Sequence, residues 1–328
     1  MFPPLRLKSA MTLGGLSARE VVLRTWKGIN DHEIMTRAAA VSFYAMLAMV
    51  PFLALTLTVA VQQLPDITGS FGGKVRGIGN MTVEQLEVTV KTLFPAEVQR
   101  MVLDQIARIQ KQPPVGLLSI GVIVSLWLAS SLFLAIMDAM NRVYGVVETR
   151  SIVKLRLTAA VMTIIQAITL LGSLLLIVAW PQILEWMGLD PKGTAALLVT
   201  IVKLVVIYLM VLISFALTFY VAPDAQQRWE WISPGSLLGA VLFLAFSFLF
   251  RVYVQNFANY DKTYGSLGGV MVILFWFWVV SLLLLAAGEM NKVIEAASPL
   301  GKVEGQKVDA TLAPDFKAMP AEPKPKLD

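Results

Sequence analysis

The sequence predicts an all-α integral membrane protein, a bundle of about six transmembrane helices. Of its 328 residues, 57% are hydrophobic and only 15% are charged, and the mean hydropathy is +0.70. A soluble domain of this size could not keep so apolar a chain in solution. The stretch between Lys262 and Glu289 alone holds 26 residues without a formal charge. That length is enough for one α-helix to cross the hydrocarbon core of a bilayer.

Residues 1–37 are predicted to form a cytoplasmic segment that contains an amphipathic helix. Apolar residues alternate there with Arg and Lys at helical spacing, and Ser17 with Glu20 three residues later has the pattern of a capping box. Such a helix fits the surface of a membrane. The alternative is that it packs under the bundle and has no role towards lipid.

Residues 38–295 are predicted to form the transmembrane domain. Its six spans are expected at about 38–61, 116–137, 157–180, 197–219, 233–254 and 267–288, with Asp138 ending the second of them. The long loop 62–115 has apolar residues at helical spacing and is predicted to be helical and extracytoplasmic. Residues 296–328 are rich in Lys and Pro, which predicts a disordered cytoplasmic tail.

Several residues in the spans are predicted to shape helix packing. Pro51 removes a backbone hydrogen bond and should kink the first span, either to improve packing or to open a cavity. Gly235, Gly239 and Gly268 should let neighbouring helices approach closely. The aromatic run 276–278 lies too near the middle of its span for an interfacial belt, so it is expected to face other helices.

The distribution of cationic residues predicts the orientation. Lys and Arg are concentrated in the segment 1–37, in the connection that follows the second span and in the tail. The long loop 62–115 also carries cations, but acidic residues nearly balance them. By the positive-inside rule both termini are therefore cytoplasmic. The same rule explains the net charge of +5 without nucleic-acid binding, and no nucleic-acid partner is expected.

A set of short motifs follows in fixed order over roughly residues 20–295. The motifs are Arg37-Ala-Ala-Ala-Val-Ser-Phe-Tyr44, Met49-Val50-Pro51, Asp138-Ala-Met-Asn141, Glu148-Thr-Arg150, Tyr220-Val-Ala-Pro223, Pro234-Gly235, Tyr264-Gly-Ser-Leu-Gly268 and Gly288-Glu289-Met-Asn291. With these motifs the chain resembles the YihY/BrkB family of bacterial inner-membrane proteins, once labelled ribonuclease BN. The resemblance implies a six-helix protein of the bacterial inner membrane, and one member of the family carries a virulence or serum-resistance label. It supplies no agreed active site.

Catalytic chemistry has no recognisable apparatus in the sequence. A hydrolytic nuclease needs grouped metal ligands or a pair of acid-base residues. The chain contains one histidine, His32, and no cysteine, and it lacks the usual hydrolase and nucleotide-binding motifs. His32 is expected to be a capping or surface residue. The protein is therefore predicted not to be an enzyme, and neither a cofactor nor a metal is expected.

Two cations within the spans are candidate binding residues. Lys203 and Arg251 lie in the outer parts of spans four and five, without an acidic partner on their own helices. Charged groups at such depths are costly, and by default they mark functional sites. They are predicted to face the interior and bind an anionic headgroup together. The alternative is that both side chains extend to the phosphates of the outer leaflet.

Two acids lie at the inner ends of spans. Asp138 has Arg142 four residues later, and Glu289 has Lys292 three residues later, so both are predicted to form ordinary ion pairs on their helices. A functional role is the alternative for each acid.

The sequence thus predicts a transporter-like or lipid-handling protein that acts on an anionic lipid or an envelope precursor, with membrane lipids as partners. The alternative is a structural or interaction protein that docks an envelope partner through the loop 62–115. A cavity between the spans would favour the first, and tightly packed spans the second.

Overall fold

The protein is a bundle of α-helices in a computed structural model. The structure describes residues 13–49, 117–178, 193–225, 233–256 and 266–298, together with residues 180, 183–184 and 187–188. No β-strand occurs in this described part. Its long helices are α1 (Ala18–Asp31), α2 (Ile34–Met49), α3 (Leu117–Tyr144), α4 (Ile152–Val178), α5 (Thr194–Val221), α6 (Pro234–Asn256) and α7 (Ser266–Ala297).

The predicted all-α membrane architecture is confirmed. Helices α3 to α7 are each long and apolar enough to cross a membrane, and α2 is a shorter apolar helix. The predicted first span begins within α2, but its second part, with Pro51, lies outside the described residues. The predicted helices of the loop 62–115 and the tail beyond Ser298 also lie outside them.

Two helices extend past the predicted ends of their spans. Asp138 is predicted to end the second span, whereas α3 continues to Tyr144. Met140 and Val143 are fully buried in this extension, so packing against the bundle keeps the chain helical beyond the charge. In the same way α7 continues past residue 288 to Ala297 and carries Glu289 with it.

The capping box at the start of α1 is confirmed. The Ser17 hydroxyl accepts a hydrogen bond from the Glu20 backbone N–H at 3.2 Å, and the Glu20 carboxylate accepts one from the Ser17 N–H at 2.9 Å. These bonds satisfy N–H groups that have no partner inside the helix. The helix is amphipathic as predicted, and it packs against α7 with Gly28 buried.

Helix α7 is the central element of the described bundle, because it packs against α1, α3 and α6. Two residues of its aromatic run contact other helices, as expected. The Trp276 ring lies 6.4 Å from that of Phe243 in α6, and the Trp278 indole N–H donates to the Met35 carbonyl of α2 at 3.2 Å. The remaining pairs follow chain order, with α3 against α4, α4 against α5 and α5 against α6.

Several chain segments meet at one end of the bundle, called here the α1 end. The turn before α1 packs against the end of α7. The Thr149 backbone N–H, in the loop after α3, donates to the Asp224 carboxylate after α5 at 2.7 Å. The Gly235 N–H at the start of α6 donates to the Asn291 side chain of α7 at 2.7 Å. The connections before α1, after α3, after α5 and before α6 therefore share one end with the end of α7.

Candidate functional site

The central group of the candidate site is a carboxylate that is buried at the α1 end. Glu289 projects from α7, and only 1% of its surface is exposed. A carboxylate removed from water costs several kcal/mol unless other groups pair with it. The local sequence offers Lys292 one turn later, and its ammonium lies 3.6 Å from a Glu289 oxygen. The ion pair predicted for Glu289 is therefore present, but it is not the shortest contact of this carboxylate.

His32 makes that shortest contact. Its Nδ1 lies 2.7 Å from the second Glu289 oxygen, and the His32 residue is only 9% exposed. In the tautomer that carries a proton on Nδ1, the imidazole donates this hydrogen bond. The expectation of a surface position for His32 is wrong. Its backbone does cap α1, as its N–H donates to the carbonyls of Gly28 and Asn30, while its ring points to Glu289.

Gly28 explains how α1 comes so close to the carboxylate. A Cβ atom at this position would overlap the Glu289 side chain. Only a glycine therefore allows this contact without a shift of α1 or of Glu289. Gly28 lies in the last turn of α1, one turn before His32, so the contact and the hydrogen bond hold the same end of the helix against α7.

An open cleft of about 420 Å³ lies over this pair. Its charged lining residues come from α1, from the end of α3 and from α7. Four of them are cations and two are carboxylates, so the lining carries a net positive charge besides His32. The six residues are Arg24, Lys27, Asp31, Arg142, Glu289 and Lys292.

A second polar network lies at the same end and joins the loop after α3 to the end of α5. Arg150 donates to both oxygens of the Glu148 carboxylate at 2.7 and 2.8 Å and to the carbonyls of Val221 and Ala222 at 3.1 and 2.9 Å. Burial raises the pKa of the Glu148 carboxyl, but the hydrogen bonds from Arg150 outweigh it and hold the pKa below its ordinary value. The polar groups of this network form hydrogen bonds with one another, so its role is structural.

Lys203 and Arg251, which are predicted to bind one anionic headgroup together, have different surroundings in the structure. Lys203 places its ammonium 4.9 Å from the centre of the Trp180 ring, a cation–π contact at the end of α4. Arg251 is exposed on α6, which is not the interior position expected of it. On α5, Lys203 points to the side that contacts α4, whereas Phe215 on the same helix contacts Phe243 of α6. Binding of an anionic headgroup by these two cations stays a prediction.

Two of the predicted glycines, Gly235 and Gly239, lie where helices approach each other. A Cβ atom on Gly235 would overlap the Ala287 carbonyl and the Asn291 side chain of α7, and one on Gly239 would overlap the Phe215 ring of α5. Gly268 is buried near the start of α7.

The predicted partner of Asp138 is wrong. Its carboxylate pairs with Arg37 of α2 at 2.8 Å instead of with Arg142 on its own helix, and the Asp138 side chain is 79% exposed. Arg142 instead lines the cleft. The pair of Arg37 and Asp138 joins α2 to α3 at the surface, where ion pairs contribute little to stability.

The comparison with known proteins agrees with the helical architecture. A family model described as Virulence factor BrkB matches residues 25–311. The chain belongs to the BrkB family. It is therefore a multi-pass membrane protein, and the resemblance found in its motifs is confirmed. No solved structure matches this BrkB protein.

Three relatives of this BrkB protein carry general names. A ribonuclease-like protein of Bacillus subtilis, YfkH, is 30% identical over 272 residues, which cover 82% of the chain and 93% of that protein. A UPF0761 membrane protein of Coxiella burnetii is 24% identical over 281 residues, covering 84% and 92%. Another from Chlorobium phaeobacteroides is 27% identical over 276 residues, and there the match covers 84% of the chain but 57% of the relative.

Proposed function

We propose that this BrkB protein is a transporter-like membrane protein that handles an anionic lipid or an envelope precursor. The proposal depends on Glu289, a carboxylate buried within a membrane-spanning helix and paired with His32. Ionisable residues inside membrane helices are costly and mark paths for ions, protons or substrates. The cleft above the pair gives such a substrate access from the α1 end, and α7 connects the site to three neighbouring helices.

We further propose that the membrane is the bacterial inner membrane and that both termini are cytoplasmic. The distribution of Lys and Arg along the chain supports this orientation. The cleft with its four cations would then open towards the cytoplasm, where an envelope precursor is made.

The ribonuclease-like name belongs to the Bacillus relative. Among the described residues of this chain, no group of three His, Cys, Asp or Glu side chains could hold a metal ion. The residues around Glu289 instead form one acid-base pair under a basic cleft. This arrangement supports binding of an anion more directly than it supports hydrolysis of RNA.

A lipid-movement assay tests the proposal. The protein is reconstituted into phosphatidylcholine vesicles that contain fluorescent phosphatidylglycerol, and dithionite bleaches the label in the outer leaflet. The wild-type protein should let bleaching proceed beyond the outer-leaflet fraction. Glu289→Gln keeps the size of the side chain but removes its charge, so it should slow this phase roughly tenfold, which corresponds to about 1.4 kcal/mol on the barrier.

Glu33→Gln is the matched control, because Glu33 is an exposed acid next to His32 that does not line the cleft. It should behave as the wild type does. His32→Gln provides a second variant of the pair if Glu289→Gln is recovered poorly. Bleaching by the wild type at the rate of protein-free vesicles would overturn the proposal, and so would an unaltered rate in folded Glu289→Gln protein.

A further inference from the structure

The cleft at the α1 end brings several cationic side chains together, and its buried acid does not explain why they converge. Arg24 and Lys27 on α1 and Arg142 at the end of α3 converge on one opening, and all three residues are exposed. Cations from separate helices repel each other when they share an opening, so their convergence is unfavourable without a counter-charge. Two carboxylates also line the cleft. Glu289 lies at its base and is already paired with His32 and Lys292, so Asp31 is the one lining carboxylate left for the three cations Arg24, Lys27 and Arg142.

The size of the cleft suits a small ligand. Its volume of about 420 Å³ lies in the range of small-molecule sites, roughly 300–1,000 Å³. Guanidinium groups bind phosphate oxygens through two parallel hydrogen bonds, whereas a lysine ammonium contributes a point charge. The cleft offers two guanidinium groups and the ammonium of Lys27 around the same opening, besides the Lys292 ammonium that pairs with Glu289.

The outward side of α1, next to this cleft, is apolar. Val22, Leu23 and Trp26 are each more than half exposed on α1, while Gly28 of the same helix is buried against α7. Exposed apolar and aromatic residues next to cations are typical of helices that lie in the headgroup region of a membrane. We therefore expect the opening between Arg24, Lys27 and Arg142 to lie close to the depth of lipid phosphates.

We infer that the cleft formed by Arg24, Lys27 and Arg142 above the His32–Glu289 pair is a binding site for a phosphate group. The inference rests on the proposed function, since it names the chemical class of substrate for the same site. A lipid headgroup and a free phosphate compound present the same chemistry to these cations. The test below distinguishes the two sources.

The test measures thermal stabilisation of the full-length protein in nanodiscs of phosphatidylcholine. Inorganic phosphate is titrated against chloride at equal ionic strength, because a ligand that binds the folded state raises the Tm. Wild-type protein should show a saturable rise. The double variant Arg24→Gln/Arg142→Gln should need about ten times more phosphate for the same rise, the effect expected from the loss of charged hydrogen bonds.

Arg19→Gln is the matched control, since Arg19 is an exposed cation on the same helix that does not line the cleft. It should keep the wild-type response. An equal response in Arg19→Gln and in the double variant would show a general salt effect and overturn the inference. No response of the wild type to phosphate or to phosphatidylglycerol would also overturn it.

Nanodiscs that contain phosphatidylglycerol identify the source of the phosphate group. If these lipids raise the Tm of the wild type but not of the double variant and abolish the response to added phosphate, the ligand is a lipid headgroup. If the phosphate response persists in their presence, the ligand is a free phosphate compound. Both results support the phosphate site.

Glu289→Gln separates this inference from the proposed function. The variant removes a negative charge below the anion, so it should bind phosphate at least as tightly as the wild type does. The same variant is expected to slow lipid movement. Phosphate binding without any lipid movement by the wild type would therefore retain the anion site and reject the transport proposal.

Discussion

Arg150 shows how one side chain holds the loop after α3 against the end of α5. Its guanidinium donates to the Glu148 carboxylate and to the carbonyls of Val221 and Ala222. The last carbonyls of a helix have no partner within it, so Arg150 supplies their hydrogen bonds. Asn141 extends the network, because its amide donates to Glu148 at 2.8 Å and its carbonyl accepts from the Asp224 N–H at 2.7 Å.

Glu148→Gln should destabilise the protein in a pH-dependent way. The Glu148 carboxyl has a lowered pKa, so the carboxylate stabilises the folded state above the ordinary value of 4.5. That stabilisation is lost as the pH falls below 4.5 and through the lower pKa of the folded state. At pH 7 the substitution should cost about 2 kcal/mol.

The measurement is the Tm of both proteins in detergent between pH 7 and pH 3.5. The difference between them should be largest at pH 7 and should narrow as the solution becomes acidic. Asp138→Asn is the control, since it removes a carboxylate from an exposed pair and should change the Tm little. A Tm difference that does not vary with pH would assign the effect to packing instead of charge.

At the scale of elements, the close contact between α6 and α7 depends on small residues. Gly235 and Gly239 lie one turn apart on α6, and a Cβ atom at either position would overlap neighbouring atoms. The nearest of these are the backbone carbonyl of Ala287 at Gly235 and the ring of Phe215 at Gly239. A backbone carbonyl has less freedom to shift than a ring, so Gly235 is the more restricted position.

Gly235→Leu should therefore lower the amount of folded protein recovered from membranes more than Gly239→Leu does. Insertion of a large side chain into a packed interface typically costs about 1–3 kcal/mol, and here it must also displace α7. Recovery is measured by fluorescence-detected size exclusion. Ala245→Leu on the exposed side of the same helix is the control and should fold normally. Full recovery of Gly235→Leu would contradict the packing described for α6 and α7.

The features that the sequence predicts depend on patterns among neighbouring residues, whereas the contacts that it misses join residues far apart in the chain. Apolar spans and the capping box of Ser17 and Glu20 are local patterns, and the sequence is sufficient to predict them. The pairing of His32 with Glu289 joins residues 257 positions apart, and no local spacing indicates it. Gly28 was one available signal, because a glycine inside an amphipathic helix indicates a close approach to another element.

The prediction for Asp138 failed for a related reason. The spacing of Asp138 and Arg142 permits a pair along one helix, but Arg37 of α2 comes within 2.8 Å of the same carboxylate. Similarly, Lys203 is predicted to share an anion with Arg251, but its ammonium lies 4.9 Å from the centre of the Trp180 ring, which follows α4. Partners from other helices decide these contacts, so the sequence could indicate only which ionisable residues needed a partner.

At the scale of the whole molecule, the α1 end collects the polar contacts. The His32–Glu289 pair, the Arg150 network and the Asn291 contact with Gly235 all lie there. Helix α2 leaves this end after His32, and α3 returns to it at Tyr144. The end of α4, the start of α5, the end of α6 and the start of α7 consequently lie at the opposite end. The cationic segments that the structure describes, residues 13–37 and the loop after α3, therefore lie at the same end of the bundle.

The predicted topology is testable because the chain contains no cysteine, so single cysteines can be introduced without a background signal. By the positive-inside rule, the α1 end is predicted to face the cytoplasm. One cysteine replaces Val147, which is 75% exposed in the loop after α3, and another is placed in the tail after Ala297. Both should react with a membrane-impermeant maleimide only after the cells are opened. Gly77 and Asn259, in segments outside the described residues, should react in intact spheroplasts. The opposite labelling pattern would place the basic cleft on the outer side of the membrane and would exclude a cytoplasmic source for its ligand.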